Sequence, residues 1–369
     1  MRIVYLMTSL GMGGAERQAE VLAHRMAARG HTVVLVVLRP PLAEQWPTSL
    51  NVVHLQMRKT LQGILLGAWR GIRLLRSLRP DLIHSHTFPA NLMARLLRIA
   101  VLRTKLISTI HNVYEGGWLR MLAYRLTDFL SAQSTAVSQA AAESAIGKRA
   151  VPRRKCLVLS NGIETDAFVP DAVRRVQTRA AMGVDTEFVW LAAGRVAPAK
   201  DYPNLLAAFS LVLDALPHAR LWIAGEAMPE ALERIKNECG SVEEIRWLGL
   251  RRDLAALIDA ADGFVLSSAW EGMPLVVGEA MVMAKLVVAT DVGGVRELMG
   301  DTGMVVPAHA PVTLAEAMIA AMRASENDRL AQGVAARQRV LEHFSMDTRA
   351  DQWEMLYKKV IGLSEPNHK

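Results

Sequence analysis

Two carboxylates, Glu271 and Glu279, flank Pro274 in the stretch SSAWEGMPLVVGEAMVM. The fixed φ and missing N–H of a proline suit the first position of a helix. Glu271 is therefore predicted in the loop before a helix, and Glu279 on its second turn. The N–H groups of a first helical turn have no intrahelical partners and attract anions. The spacing favours either a diphosphate site with carboxylates beside it, or an ordinary helix that carries a solvated glutamate.

Two cations follow another apolar run and its glycine turn, Arg195 directly after Gly194 and Lys200 five residues later. Cations at a strand end are typical of phosphate-binding loops, although solvated loop cations would explain each of them alone. Because ligands of parallel sheets bind at the carboxyl ends of strands, we expect this loop and the Glu271 loop to meet. Cations from one loop and carboxylates from the other suit a nucleotide diphosphate that carries a sugar.

Three histidines also follow predicted strands. His111 lies in STIHN, where it is either a site residue or a histidine that caps a strand end. His84 and His86 in HSHTF alternate along a strand and therefore point to the same side. Local spacing fixes no third ligand for a metal, so neither a metal nor any other cofactor is predicted. Ser138 in AVSQA suits the N-cap of a helix.

The elements that must position these residues alternate between strands and helices. The predicted strands are Arg2–Thr8, Thr32–Leu38, Asp81–Ser85, Leu106–Ile110, Cys156–Leu159, Phe188–Ala192, Arg220–Ile223, Gly263–Leu266 and Leu286–Ala289. Continuous apolar strands between helices indicate parallel sheets covered on both faces. The pattern restarts near residue 169, which predicts an α/β protein with two doubly wound, Rossmann-like domains that face each other across a cleft. We expect domains at 1–168 and 169–345, with a helix at about 346–369 packed back on the first.

Composition limits the protein class. Of the 369 residues, 51% are hydrophobic and 21% charged, which indicates globular domains. No apolar run is long enough to cross a bilayer, and the first residues lead into a glycine loop without a signal-peptide cleavage site. The two cysteines, Cys156 and Cys239, form neither a disulfide framework nor a metal cluster. These features predict a cytoplasmic protein.

Charge is unevenly distributed along the chain. Residues 1–169 contain 22 Lys and Arg against 9 Asp and Glu, whereas the remainder contains 21 against 27. A basic half predicts an anionic partner. Segments Met57–Arg79 and Asn91–Lys105 mix arginines with leucine and isoleucine, and are predicted as amphipathic helices that lie on an anionic membrane or as ordinary solvated helices. A nucleic-acid partner is not expected, because no basic stripe is interleaved with aromatic residues.

Several motifs carry a resemblance to a known family. The runs AAGRVAPAKDYPNLLAAF, LWIAGE, WLGLRRDL and SSAWEGMPLVVGEAMVMAKLVVATDVGGVRELM resemble the donor domain of retaining glycosyltransferases of family four, which have the GT-B fold. The runs TSLGMGGAERQAEVLAHRMAARGHTVVLV, HSHTF, STIHN, AVSQA and SNGIETDAF resemble the same family in the same order. The resemblance extends over nearly the whole chain, and implies two facing Rossmann-like domains and catalysis without a metal.

The resemblance also implies functions for individual residues. It assigns donor binding to Gly13, Gly14, Arg195, Lys200, Glu271, Gly272, Met273, Leu275, Val276 and Glu279, catalysis to His111, Arg195, Lys200 and Glu271, and the acceptor side to His84 and His86. Arg195 and Lys200 would stabilise charge on the leaving diphosphate. Glu271 would bind sugar hydroxyls, and Glu279 the ribose. The leaving phosphate would help to deprotonate the attacking hydroxyl.

The expected function is retaining transfer of a hexose or N-acetylhexosamine from a nucleotide-diphosphate sugar to a saccharide or lipid-linked saccharide, in cell-surface polysaccharide or glycolipid biosynthesis. A uridine diphosphate donor is expected first and a guanosine donor second. The predicted location is the cytoplasm, with peripheral contact at the inner face of the cytoplasmic membrane. The alternatives are a sugar-nucleotide epimerase of the same fold and a non-catalytic sugar-nucleotide-binding protein. The intact set of cations and carboxylates argues against the second alternative.

Overall fold

The computed structural model describes residues 1–11, 13–41, 48–239 and 243–363. The chain forms two compact units, a first unit of Met1–Gly162 with Met346–Lys369 and a second unit of Ile163–Ser345. The division falls at Gly162, whereas the sequence placed it after Phe168. A Cβ atom on Gly162 would collide with Met346, so a glycine is needed where the outgoing and returning segments approach each other.

The first unit contains a seven-stranded parallel sheet in the order β3-β2-β1-β4-β5-β6-β7. Its strands are β1 Arg2–Met7, β2 Thr32–Val37, β3 Asn51–His54, β4 Leu82–His86, β5 Lys105–Ile110, β6 Gln133–Ala136 and β7 Cys156–Val158. The strand order reverses between β1 and β4. A doubly wound sheet forms its ligand crevice outside the carboxyl ends of the strands at such a switch point.

Helices cover both faces of this sheet. They are α1 Gly14–Ala28, α2 Leu61–Leu78, α3 Phe88–Arg98, α4 Trp118–Thr127, α5 Gln139–Gly147 and, from the end of the chain, α14 Met346–Ile361. Helices α1 and α14 pack on the face formed by residues such as Ile3 and Tyr5. Helices α2 and α3 pack on the opposite face, formed by residues such as Val4 and Leu6. This alternation follows from the two-residue period of a strand.

The second unit contains a six-stranded parallel sheet in the order β10-β9-β8-β11-β12-β13, which reverses between β8 and β11. Its strands are β8 Phe188–Ala193, β9 Ala219–Ala224, β10 Ile245–Gly249, β11 Gly263–Leu266, β12 Leu286–Thr290 and β13 Met304–Val306. Its helices are α6 Ala172–Ala181, α7 Tyr202–Ala215, α8 Pro229–Cys239, α9 Leu254–Ala260, α10 Leu275–Val282, α11 Val295–Met299, α12 Pro311–Arg323 and α13 Glu326–His343. One core packs α7 and α12 against the sheet.

All nine predicted strands are confirmed, and no end differs from the prediction by more than one residue. Four strands were not predicted. Strands β3, β10 and β13 lie at sheet edges and are only partly buried, so their apolar patterns are weak. Strand β6 lies inside the sheet, but its sequence QSTA is polar. Its side chains find internal partners, since Ser134 Oγ donates to Asp128 Oδ1 at 2.9 Å and Thr135 Oγ1 lies 2.7 Å from Thr109 Oγ1.

The two basic segments are only partly as predicted. Segment Met57–Arg79 contains α2, but α3 ends at Arg98, and Lys105 begins strand β5. The surface position predicted for Arg95 is wrong, because its side chain is 1% exposed and forms an ion pair with Asp128 at 3.4 Å. A buried guanidinium needs such partners to offset the loss of hydration. No helix in the described ranges is both long and apolar enough to span a membrane.

Candidate functional site

The loops after β8 and β11 meet at the switch point of the second sheet. Strands β8 and β11 are neighbours, so their carboxyl ends place Lys200 beside Glu271. The Lys200 Nζ atom lies 2.6 Å from Glu271 Oε1. Ser268 Oγ donates to the same carboxylate oxygen at 2.7 Å. The structure therefore brings together one of the two predicted cations and one of the two predicted carboxylates.

Hydrogen bonds fasten these two loops to each other. The Ser267 hydroxyl donates to the Lys200 carbonyl at 2.8 Å, and the Ala269 amide donates to the Ala199 carbonyl at 2.8 Å. Gly194 has a φ of +153°, and its missing side chain leaves room for the Lys200 stem, because an added Cβ would lie 2.6 Å from Lys200 Cε. Sequence reasoning missed both serines, although a polar pair directly after a buried strand was a usable signal.

Helix α10 begins beside Glu271. The structure starts this helix at Leu275 with Pro274 as its N-cap, so the prediction that Pro274 occupies the first helical position is wrong by one residue. Leu275, Val276 and Glu279 are partly exposed, whereas the side facing the core is buried. Positions three and four residues apart share a helix side, so Glu279 lies one turn beyond Leu275 and Val276, whose amides belong to the first turn.

The same two loops also carry Arg195, Gly272 and Met273. Arg195 is exposed and, in the ranges the structure describes, forms no ion pair. The Gly272 carbonyl accepts a hydrogen bond from the Gly294 amide at 2.7 Å. The Met273 side chain is 5% exposed, so it packs in the interior and does not point into the solvent beside Glu271.

A separate cavity lies at the opposite end of the second sheet. Its volume is about 500 Å³, and its lining includes Phe188 at the start of β8 and Asp262 just before β11. Arg175 and Arg179 also line it, but both are paired with Asp262 at 2.5 and 3.1 Å. It contains none of the predicted site residues. We therefore assign the site from the Lys200–Glu271 geometry and not from cavity size.

The glycine loop lies at the switch point of the first sheet. It follows β1 and leads into α1, whose N-cap is Gly13 and whose first residue is Gly14. The loops after β1 and β4 touch, since Thr8 Oγ1 lies 2.9 Å from Thr87 Oγ1. Glu16 fills the space above Gly13, where an added Cβ would lie 2.5 Å from Glu16 Oε2.

The three predicted histidines lie close together at the ends of β4 and β5. His84 is fully buried, with Nδ1 2.7 Å from the Tyr357 hydroxyl and Nε2 2.7 Å from Thr109 Oγ1. His86 Nδ1 lies 2.9 Å from His111 Nε2, and His86 is 2% exposed. The prediction that His84 and His86 point to the same side is confirmed by ring centroids 4.0 Å apart. Their assignment to the acceptor side stays a prediction.

Burial determines the charge of these histidines. It lowers the pKa of His84 and His86 well below the usual value of 6.5, and lowers that of His111 to about 4. Burial disfavours the charged form of an imidazole. All three rings are therefore neutral near pH 7, and the cluster acts through hydrogen bonds and not through positive charge.

A partly buried carboxylate, Glu115, holds the loop after β5, and sequence reasoning missed it. The His111 amide donates to Glu115 Oε1 at 3.0 Å, and the Tyr124 hydroxyl donates to Glu115 Oε2 at 2.7 Å. Burial raises the pKa of Glu115. The sequence signal that could have pointed to Glu115 was an isolated acidic residue in the basic half of the chain. The N-cap prediction for Ser138 is confirmed, because its hydroxyl accepts from the Ala141 amide at 3.2 Å.

Comparison with known proteins supports two successive glycosyltransferase segments. Residues 12–167 match the model described as Glycosyltransferase Family 4, and residues 187–324 match Glycosyl transferases group 1. The chain is 27% identical over 233 residues to a putative glycosyltransferase EpsD of Bacillus subtilis, covering 60% of this chain and 61% of that protein. It is 24% identical over 234 residues to an Escherichia coli UDP-Gal:alpha-D-GlcNAc-diphosphoundecaprenol alpha-1,3-galactosyltransferase, covering 60% of each. The matched region thus spans about three fifths of these relatives.

The fold is shared with solved structures over a greater length. The Anabaena protein HepE in complex with UDP and glucose aligns with a TM-score of 0.85 at 20% identity, covering 97% of this chain and 100% of that one. At this identity the likeness establishes the architecture of two Rossmann-like domains. Together with the two family models, it shows that this chain belongs to glycosyltransferase family 4 and has the GT-B fold.

Proposed function

We propose that this protein is a retaining glycosyltransferase that moves a hexose or N-acetylhexosamine from a UDP-sugar to a saccharide or lipid-linked saccharide acceptor. The observation that carries the proposal is the contact of Lys200 Nζ with Glu271 Oε1 at 2.6 Å beside the start of α10. The names of the relatives support the substrate classes, since the E. coli protein uses a UDP-galactose donor and a diphosphoundecaprenol-linked acceptor.

Each group at this switch point has a chemical task in the proposed reaction. The first-turn amides of α10, with Arg195 and Lys200, bind the diphosphate and stabilise the charge that develops on it as the glycosidic bond breaks. Glu271 accepts hydrogen bonds from the transferred sugar, and Glu279 from the ribose. Because Lys200 and Glu271 bind each other in the structure, we infer that the donor exchanges this ion pair for two contacts, one with phosphate and one with sugar hydroxyls.

The donor and the reaction are testable in two steps. Thermal unfolding of the full chain with a panel of uridine, guanosine and adenosine diphosphate sugars identifies the donor, because a ligand of the folded state raises the melting temperature. The stabilising donor is then incubated with and without saccharide and polyprenyl-diphosphate saccharide acceptors. We expect a new glycosidic product only with an acceptor. A donor isomer formed without acceptor would instead establish the epimerase alternative.

We also propose that transfer needs no divalent metal, because two cationic side chains are available for the diphosphate. We expect the initial rate to stay within about twofold after treatment with a chelator, since the charge is supplied by the protein. Loss of activity that added Mg²⁺ or Mn²⁺ restores would contradict this proposal. As a control, activity is also measured after the chelator has been removed on a desalting column.

A surface of α2, α3 and α4 supports peripheral contact with an anionic membrane. Helix α3 packs against both α2 and α4. The exposed large apolar side chains on or next to these helices include Leu61, Ile64, Leu65, Leu66, Trp69, Leu96, Ile99, Leu102, Trp118, Leu119, Leu122, Leu126 and Phe129. We call them the apolar surface. Its aromatic and leucine composition suits the boundary between headgroups and acyl chains.

Helix packing explains why this surface is left outside. Helix α2 turns Gly67 and Gly71 toward the unit, where an added Cβ would lie 2.8 Å from Met57 and 3.0 Å from Leu97. Besides these two glycines, α2 buries Leu75, whereas Leu61, Leu65 and Leu66 in its first two turns remain exposed. Helix α4 buries Met121 and Tyr124, and presents apolar residues at four-residue intervals on another side.

The charge around the apolar surface favours anionic lipid over a neutral apolar partner. Between Met57 and Thr127 the sequence contains eleven Lys and Arg besides the buried Arg95, but only Asp81 and Glu115 as acids. Asp81 accepts from the Arg2 amide at 2.7 Å, and Glu115 is held inside the loop. Each cation near an anionic bilayer contributes roughly 1 kcal/mol.

Vesicle binding by the full chain tests this contact. We expect at least tenfold stronger partitioning to phosphatidylglycerol vesicles than to phosphatidylcholine vesicles, and a loss of several-fold for Leu65→Ser and for Trp118→Ser. Leu330→Ser is a matched control, because Leu330 and Leu65 are both 61% exposed and Leu330 lies in the second unit. Equal partitioning to both vesicles, or equal losses in all three variants, would refute the membrane proposal.

A further inference from the structure

His111 is held from two directions. Its ring nitrogen Nε2 lies 2.9 Å from His86 Nδ1, and its backbone amide donates to Glu115 at 3.0 Å. Glu115 is itself fixed by the Tyr124 hydroxyl, which also accepts from Asn91 Nδ2 at 2.9 Å. These contacts fix both the backbone and the ring of His111, so Nδ1 is the ring nitrogen that remains for a ligand.

The contact between the two rings requires a defined proton. Both imidazoles are neutral near pH 7, because burial lowers the pKa of His86 well below 6.5 and that of His111 to about 4. A neutral imidazole has one N–H donor and one acceptor nitrogen. One ring must therefore donate and the other accept, and the choice determines which nitrogen of His111 carries its proton.

The second nitrogen of His86 distinguishes the two arrangements. His86 Nε2 is buried and has no hydrogen-bond partner in the ranges that the structure describes. If His111 donated, His86 would carry its proton on Nε2, and a buried N–H would be left without an acceptor. Orphaned buried N–H groups are rare and destabilising. If His86 instead donates from Nδ1 to His111 Nε2, then His86 Nε2 carries no proton. No buried N–H of the two rings is then left without an acceptor.

We propose that His86 is a positioning residue that donates from Nδ1 to His111 Nε2 and holds His111 as the tautomer protonated on Nδ1. His111 then presents an N–H donor, which suits an oxygen acceptor such as a sugar hydroxyl and not a hydroxyl proton to be removed. The tautomer follows from the geometry of the two rings. Its use in transfer rests on the proposed function and on the catalytic role that the family resemblance implies for His111.

The tautomer can be measured without any activity. Long-range ¹H–¹⁵N correlation spectra of the full chain, labelled with ¹⁵N-histidine and recorded at pH 7, distinguish protonated from unprotonated ring nitrogens. His111→Asn assigns the signals. We expect a protonated Nδ1 and an unprotonated Nε2 for His111. A proton on His111 Nε2 would overturn the proposal, whether or not the protein transfers a sugar.

Two substitutions of His86 test its effect on turnover. The side-chain nitrogen of His86→Asn can occupy the place of Nδ1 and keep the donor, whereas His86→Leu removes it. We expect kcat to fall about tenfold in His86→Leu and to recover most of that loss in His86→Asn, in keeping with one hydrogen bond. Melting temperatures of both variants control for stability. Equal kcat in the two variants would show that the donor has no effect on transfer.

The results separate this inference from the proposed function. Absence of transfer by the wild-type chain, with the expected tautomer in the spectra, would refute the glycosyltransferase proposal and leave the tautomer established. Transfer by a chain whose His111 is protonated on Nε2 would do the reverse.

Discussion

The switch points of the two sheets are built from similar strands but differ in charge. In the second unit, Lys200 and Glu271 form an ion pair between two loops, with side chains 20% and 13% exposed. In the first unit, His84, His86 and His111 are neutral and share hydrogen bonds at the strand ends. A charged, accessible pair suits an anion that carries hydroxyl groups, whereas a neutral, buried cluster suits orientation of a ligand. In the proposed reaction, the same fold would therefore provide electrostatic stabilisation in one unit and positioning in the other.

The largest expected effect is that of Lys200→Ala. Removing one preorganised cation from a developing negative charge costs about 10² in rate, so we expect kcat/KM to fall at least tenfold and nearer to a hundredfold. Steady-state kinetics with the identified donor measure it. Glu187→Ala is the matched control, because Glu187 pairs with Arg220 at the opposite end of β8. A similar loss in both variants, or no loss in Lys200→Ala, would contradict electrostatic stabilisation by Lys200 at the switch point of the second sheet.

Acidification should destabilise the first unit through its histidines. Below pH 6.5 the unfolded chain binds protons that the buried rings exclude, so the free energy of unfolding falls as the pH decreases toward 4. For His111, with a pKa of about 4, this amounts to as much as about 2 kcal/mol at pH 5. The raised pKa of Glu115 has the opposite effect on the free energy of unfolding, because the folded chain binds that proton more tightly than the unfolded chain. It concerns one group, whereas the histidines are three. Melting temperatures at pH 7 and pH 5 test this expectation.

The matched variant for acidification is His111→Asn, which removes one neutral ring. We expect a smaller difference between its two melting temperatures than the wild type shows. An identical pH dependence would mean that His111 is not kept neutral by the fold, and the contrast between the two switch points would weaken.

The smallest expected effect separates the two members of the ion pair. Glu271 competes with phosphate for Lys200, so Glu271→Gln should bind UDP alone as tightly as the wild type or a few-fold more tightly. Lys200→Ala should bind UDP more weakly. Calorimetric titration of each variant with UDP measures both affinities. Weaker UDP binding by Glu271→Gln would indicate that this carboxylate supports the diphosphate site and does not compete within it.

Much of the fold was predictable because its signals are local. Apolar runs marked the buried strands, and glycine turns marked the loops after β1 and β8. Lys200 and Glu271 could be assigned to one site before any coordinates, because loops at the carboxyl ends of parallel strands share an edge. The edge strands β3, β10 and β13 gave weaker signals, and the polar strand β6 gave none, since its burial depends on partners such as Thr109 in strand β5.

The sequence by itself determined the α/β repeat, the two glycosyltransferase-like segments and the loops that carry charge, because periodicity, turn chemistry and motif order are properties of neighbouring residues. Only the tertiary structure decided that Arg95 is buried, that α2 packs through its glycines and leaves leucines in solvent, and that His86 contacts His111. Each of these depends on what a side chain meets after the chain has folded. Burial, and the protonation that burial determines, arise from residues that are distant in sequence.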